Sequence, residues 1–145
     1  MNFFKHYIGD YARATGDLTL AEHGAYRMML DHFYGTARPL PSEKKTLYRL
    51  LRADSDLEKR AVDRVSLRFW RQIPSELSEL SELLDLTTED KQRPLFGVMQ
   101  EWDTENGLIN LRALGEIVKA RVQGEKNRVI ALAREKAKRE AEGKQ

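Results

Sequence analysis

The sequence predicts a mainly α-helical domain (α+β): a winged helix-turn-helix with a β-hairpin wing, an acidic insertion helix and a C-terminal helix. Three observations predict it. Two capping boxes, Thr19 with Glu22 and Ser55 with Glu58, mark the starts of two amphipathic helices. A shorter helix lies between them and reaches the second box through the tight connection "RADS", the order of a helix-turn-helix. Beyond the last of these helices, Asn106-Gly107 sits between apolar alternations, and both residue types tolerate the positive φ of a two-residue hairpin turn.

The elements follow in chain order. The opening "NFFKHYIGDYARATG" carries Phe3, Phe4, Tyr7, Ile8 and Tyr11 and reads as a short strand or an arm packed across the core. In the first helix Tyr26, Met29, Leu30 and Phe33 fall at i, i+3, i+4 and i+7, one apolar stripe. Gly24 interrupts its second turn at a cost of about 1 kcal/mol against alanine, which reads as a packing notch. Gly35, with Pro39 and Pro41 beyond it, reads as the stop. Ser42 can cap the second helix, whose Leu47, Leu50 and Leu51 face inward. The third buries Leu57, Ala61, Val65 and Phe69, with Val62 beside them, and runs to about Arg71, short of Pro74.

"SELSELSELLDL" follows. A period of three places Leu77, Leu80 and Leu84 on one helical face, and residues 75–90 hold six acids and no base. This is an acidic amphipathic helix that covers part of the domain or, in a sharper reading, docks a protein partner through those leucines. "TTEDKQRP" reads as a loop. Phe96, Val98 and Trp102 alternate before the turn, and Leu108, Asn110 and Arg112 after it, as two wing strands. The tail reads as a helix interrupted at Gly124, laced by i, i+4 pairs such as Glu135–Arg139. Residues 1–115, with the acidic insertion at 75–93, form the winged-helix domain, and 116–145 a basic helical extension.

Composition narrows the function classes. The chain has 145 residues, no cysteine and net charge +2. No disulfide or thiolate site is available. No apolar run approaches a membrane span, and the amino terminus lacks a signal-peptide core, so a cytoplasmic protein without membrane partners is expected. Residues 1–73 hold 13 Lys/Arg and 9 Asp/Glu (+4), residues 74–115 hold 3 and 9 (−6), and residues 116–145 hold 9 and 5 (+4). Basic segments flanking an acidic one fit a polyanionic partner.

Enzymatic chemistry finds little footing. His6, His23 and His32 lack metal-ligand spacing, and no HExxH, phosphate loop, GxGxxG or GxSxG stretch occurs. No catalytic residue, metal or cofactor is expected. The clearer constellation is basic. Arg60, Arg64, Arg68 and Arg71, spaced 4, 4 and 3, form a row on the third helix, centred about 100° from its apolar stripe. Guanidinium groups suit bidentate contacts with phosphate or guanine. Lys44, Lys45, Arg49 and Arg52 add charge from the second helix, and Arg112 from the wing. In a helix-turn-helix the third helix enters the major groove while the second crosses near the backbone.

"HYIGDYARATGDLTLAEHGAYRMMLDHFYGTARPLP" resembles the opening of the YdaU-like family of phage and prophage proteins, a domain of unknown function. "LYRLLRA", "AVDRVSLRFW" and "NGLINLRALGEIVKAR" extend the resemblance. It implies a winged-helix-like domain similar to the N-terminal domains of replisome organisers and replication initiators. The implied role is an accessory or initiator of phage DNA replication that binds double-stranded origin DNA or helps deliver a host helicase. The acidic insertion departs from the family pattern. Two alternatives stand beside this role: a protein-binding adaptor or inhibitor from a mobile element, and a transcriptional repressor. A homodimer, formed through the C-terminal helix or the acidic segment, is compatible with each.

Overall fold

Met29 and Phe33, one helical turn apart, are wholly buried and mark the centre of the core. They belong to the second of the helices in a computed structural model that describes residues 3–144. Residues 1, 2 and 145, the outermost positions of the expected domains, lie outside the described residues. The elements run α1 (Ile8–Thr15), α2 (Leu20–Thr36), α3 (Lys44–Leu51), α4 (Asp56–Phe69), β1 (Arg71–Gln72), α5 (Leu77–Leu83), α6 (Glu89–Met99), β2 (Leu108–Ile109) and α7 (Leu111–Gly143). The described chain is thus mainly helical with one small two-stranded antiparallel sheet. None of its helices is long and apolar enough to cross a membrane.

Both capping boxes form. The Glu22 amide donates to Thr19 Oγ1 at 3.2 Å and the Thr19 amide to Glu22 Oε2 at 3.4 Å. The matching bonds at Ser55 and Glu58 are 3.1 and 3.2 Å. Each box satisfies two amides that a helix start leaves without partners. α2 and α4 pack on each other more extensively than any other pair, bringing Ala61, Val62 and Val65 against Met29 and Phe33. Trp70, just past α4, sets its ring edge-on to Phe33 at 5.4 Å. Leu47 and Leu51 of α3, Leu80 of α5, Leu95 and Val98 of α6, and Leu114 and Ile117 of α7 close the same cluster.

The helix ends differ from expectation. Gly35 is an ordinary helical residue, and α2 stops at Ala37, which takes a left-handed φ of 54°. That conformation costs a non-glycine residue roughly 1 kcal/mol. Two bonds offset it: the Ala37 amide to Phe33 O at 2.8 Å, and the Trp102 indole N–H to Ala37 O at 2.9 Å. Gly24 is exposed, with no atom within 4 Å of where a Cβ would stand, so it is not a packing notch. Glu43, not Ser42, precedes α3 as its cap, without a side-chain bond. Leu50 and Leu57, expected inward, are exposed. The opening segment forms helix α1 after an extended arm, whose Phe4 stacks on Tyr34 at 4.1 Å.

The wing is the larger correction. Phe96, Val98 and Trp102 lie in or just beyond helix α6, not on a strand, and part of "TTEDKQRP" is its first turn. Leu95, Val98 and Met99, at i, i+3 and i+4, outweigh the period-two alternation. Thr88 caps the helix, and Glu89 and Asp90 favour its positive end. Asn106-Gly107 is not a hairpin turn, since no described glycine has a positive φ. Gly107 serves a close approach instead. A Cβ there would meet Pro39 Cβ at 2.7 Å and Leu40 O at 3.0 Å. β2 pairs antiparallel with β1 (Arg71↔Ile109, Gln72↔Leu108) and bridges Leu40 on its other side. α5 and α6 lie between the two paired strands in sequence.

Past β2, the buried Asn110 caps α7. Its Oδ1 accepts from the Ala113 amide at 3.0 Å, and its Nδ2 donates to Phe69 O at 3.1 Å and to the Tyr26 hydroxyl at 3.4 Å. One amide side chain therefore fixes the end of α4, the middle of α2 and the start of α7. Arg112 is a first-turn residue of α7, not a wing-strand residue, and Gly124 does not interrupt that helix. Ile117 and Val118 of α7 are core residues.

Candidate nucleic-acid interface

Arg60, Arg64 and Arg68 lie on α4, but that helix ends at Phe69 rather than near Arg71, which falls on β1, and three of the four arginines are engaged by carboxylates of the same chain. Arg68 Nη1 is 2.8 Å from both oxygens of Asp17, and its Nη2 donates to Ala14 O at 3.0 Å. Its guanidinium also lies over the Phe69 ring at 4.9 Å. Arg64 reaches Glu22 at 3.4 Å and Asp17 at 4.0 Å. Arg71 reaches Glu79 of the acidic helix at 3.5 Å, and its Nε is buried without a partner among the described residues. The Arg68 guanidinium holds the Asp17 carboxyl below its ordinary 3.8, so this carboxylate is charged wherever the fold is intact near neutral pH. Arg60 is exposed and is the one member of the row that engages no carboxylate among the described residues.

α3 supplies a second set. Lys45, Arg49 and Arg52 follow at i, i+4 and i+7, so they share a face that runs into the connection to α4. All three are exposed, and none pairs with a carboxylate among the described residues. The turn is closed by a backbone bond. Arg52 takes a left-handed φ of 56°, and the Ala53 amide donates to Tyr48 O at 2.9 Å. Lys44 is 3.7 Å from Asp63, which also accepts from the Tyr48 hydroxyl. That bond pushes the Tyr48 phenol up to about 12 and ties α3 to α4 through side chains. Arg112 turns away from this face. It reaches Asp10 of α1 at 3.0 Å and lies over the Tyr7 ring at 5.2 Å.

The leucines expected to dock a partner are divided. Leu80 is a core residue, Leu84 is half-buried against the core, and only Leu77 is exposed. The helix therefore covers the domain with that face. A different apolar groove opens between the amino-terminal turns of α2 and α4. Leu20 and Leu57 line it with Arg60 and Arg64 on its rim.

The carboxylates that neutralise the row had no signature at the level of sequence. Glu22 was visible as a capping residue, but it meets Arg64 only because α2 and α4 pack with their amino-terminal halves together. Asp17 and Arg68 are 51 positions apart.

Residues 2–72, just under half of the chain, match the model of a family described as "Protein of unknown function (DUF1376)". No curated protein and no solved structure matches the chain.

Proposed function

We propose that this protein binds double-stranded DNA with a winged-helix-like module, through the exposed face of α3 and the amino-terminal half of α4. The observation that carries this reading is the set Lys45, Arg49, Arg52 and Arg60, four exposed cations without carboxylate partners among the described residues, on α3, α4 and the four-residue turn that joins them. The order of small strands supports it. β2 lies between Leu40 and β1, beside the end of α4, as the strands of a winged helix do. Under this reading Arg64, Arg68 and Arg71 fasten the module together, and the phosphate contacts pass to the other four. The role that the YdaU-like resemblance implies, an accessory or initiator of phage replication in the host cytoplasm, is the context in which such a module would act.

Fluorescence anisotropy with a labelled duplex tests it. Affinity should fall as salt rises, with a slope of about −0.9 per phosphate neutralised. Changing Lys45, Arg49, Arg52 and Arg60 to alanine should weaken binding by about tenfold or more at low salt and flatten the slope by about 3.6, about 0.9 for each of the four contacts. Arg68→Ala should change it little. A wild-type protein without affinity at low salt, or a quadruple variant that binds as well as wild type, would overturn the reading.

A protein-binding adaptor is the second reading, favoured by the α2–α4 groove, where Leu20 is 90 % exposed and Leu57 59 %. Leu20→Ala, on α2 and without a change of charge, would weaken partner capture and leave duplex affinity unchanged.

A further inference from the structure

α7 outruns the body it helps to build. Its last core residue is Val118, and from residue 128 to its end every described side chain is exposed. That exposed stretch, 128–143, is about 24 Å of helix at 1.5 Å per residue. Helices in proteins draw most of their stability from packing an apolar face rather than from propensity, and this stretch packs on nothing among the described residues. The stretch nonetheless displays Val129, Ile130 and Leu132, which are 63, 49 and 55 % exposed. At 100° per residue these three span about 160° of the helix surface, and Arg128 and Arg134 flank that arc by about 40° on either side. Among the described residues neither arginine has a carboxylate partner, whereas Lys136, Lys138 and Arg139 further along are paired with Glu140, Glu142 and Glu135.

The complementary surface is on the same chain. Residues 74–106 hold nine Asp/Glu and two Lys/Arg, net −7, against nine Lys/Arg and four Asp/Glu, net +5, for residues 119–144. Between the β1–α5 and α6–β2 connections a groove is floored by Ile73, Leu77, Met99 and Trp102, with Glu105 at its edge. Among the described residues Glu105 has no cation partner, and Glu76, next to Leu77, bonds only to the Ser78 hydroxyl. An apolar floor with free carboxylates faces outward here, and an apolar strip with free arginines faces outward on α7.

We infer that two copies of this chain form a two-fold dimer by exchange, the distal half of α7 of each lying in the acidic groove of the other. The occupant of the groove is thus a second copy. The apolar strip and apolar floor cover one another, and Arg128 and Arg134 meet carboxylates on the groove's edges. A two-fold axis uses the contact twice and doubles the area that either would bury alone. The proposal is independent of the DNA reading, because it concerns surfaces away from α3 and is tested without DNA.

Charge-swap complementation decides it. The experiment uses the full-length, nuclease-treated protein in sedimentation velocity from about 1 to about 100 µM, the range of weak to moderate homodimers. Wild type should dimerise, more weakly as salt rises. One variant, Glu76→Lys with Glu105→Lys, presents a basic groove to a basic helix. The other, Arg128→Glu with Arg134→Glu, presents an acidic helix to an acidic groove. Each alone should dimerise at least about tenfold more weakly, and an equimolar mixture should recover the dimer, since both of its contacts are attractive again. Circular dichroism verifies that both variants fold. A monomeric wild type overturns the proposal, as does a mixture that stays monomeric. A dimer that survives groove reversal and is lost only on changing α7 would be a coiled coil between the two α7 helices, and overturns it equally.

Discussion

Asp17, in the turn between α1 and α2, accepts from Arg68, in the last turn of α4, with both carboxylate oxygens 2.8 Å from one guanidinium nitrogen. The same guanidinium donates to the Ala14 carbonyl at 3.0 Å. The contact anchors α1 to the helix whose basic face would otherwise face solvent. It turns a residue that reads as a DNA contact into an internal fastening. Exposed ion pairs are individually weak, but this one adds a backbone acceptor and the Phe69 ring face to the carboxylate.

The pair gives the acid limb of stability a defined sign. The folded carboxyl of Asp17 lies below its ordinary 3.8, so the unfolded chain takes up its proton first. The contribution of this pair is complete above pH 3.8 and is lost as pH falls through the folded value. In Arg68→Ala, the Asp17 carboxyl carbon followed by NMR should titrate at higher pH than in the wild type. An unchanged titration would mean the contact does not persist in solution.

Gly24→Ala should stabilise the protein by about 0.5–1 kcal/mol in urea unfolding. The site is an exposed helix interior with open space for a methyl group. A packing notch would give the opposite sign, so the experiment also decides between the reading from spacing and the geometry.

Leu80→Ala should destabilise by about 2–4 kcal/mol, the cost of a large-to-small change at a site 1 % exposed. Leu77→Ala, half-exposed in the same short helix, should cost well under half as much. Equal and small losses would mean that α5 is an appendage rather than a wall of the core.

The Tyr48 phenol, held at about 12 by its bond to Asp63, should stay neutral in an ultraviolet titration through the range near 10 where free tyrosines ionise. Because its folded value is raised, the stability it contributes is present below pH 10 and fades as pH climbs towards 12. Asp63→Asn should return the phenol towards 10.

The α2, α3 and α4 helices were legible because their signals are local. A capping box closes within four residues, and the stripe from Met29 to Phe33 repeats within one turn. The boundary of α2 was misplaced because Ala37 holds a left-handed conformation through bonds to Phe33 and to Trp102, and the latter lies 65 positions away. The wing was misread for a related reason. Phe96, Val98 and Trp102 satisfy a strand period, but Leu95, Val98 and Met99 satisfy a helical one as well. Gly107 carries the signature of a hairpin turn although its lack of a side chain serves Pro39 and Leu40.

Sequence alone determined where α2 and α4 start, which of their faces are apolar, that the turn between α3 and α4 is short, and that Arg60, Arg64 and Arg68 share a face of α4. Each of these depends on residues within a turn or two of one another, where backbone geometry leaves few choices. Tertiary structure decided which charges stay free. Asp17 and Glu22 meet Arg68 and Arg64 only once α4 packs on α2 and the turn before it, and Glu79 meets Arg71 once α5 folds back beside β1, because a guanidinium takes whichever carboxylate the fold brings within about 4 Å.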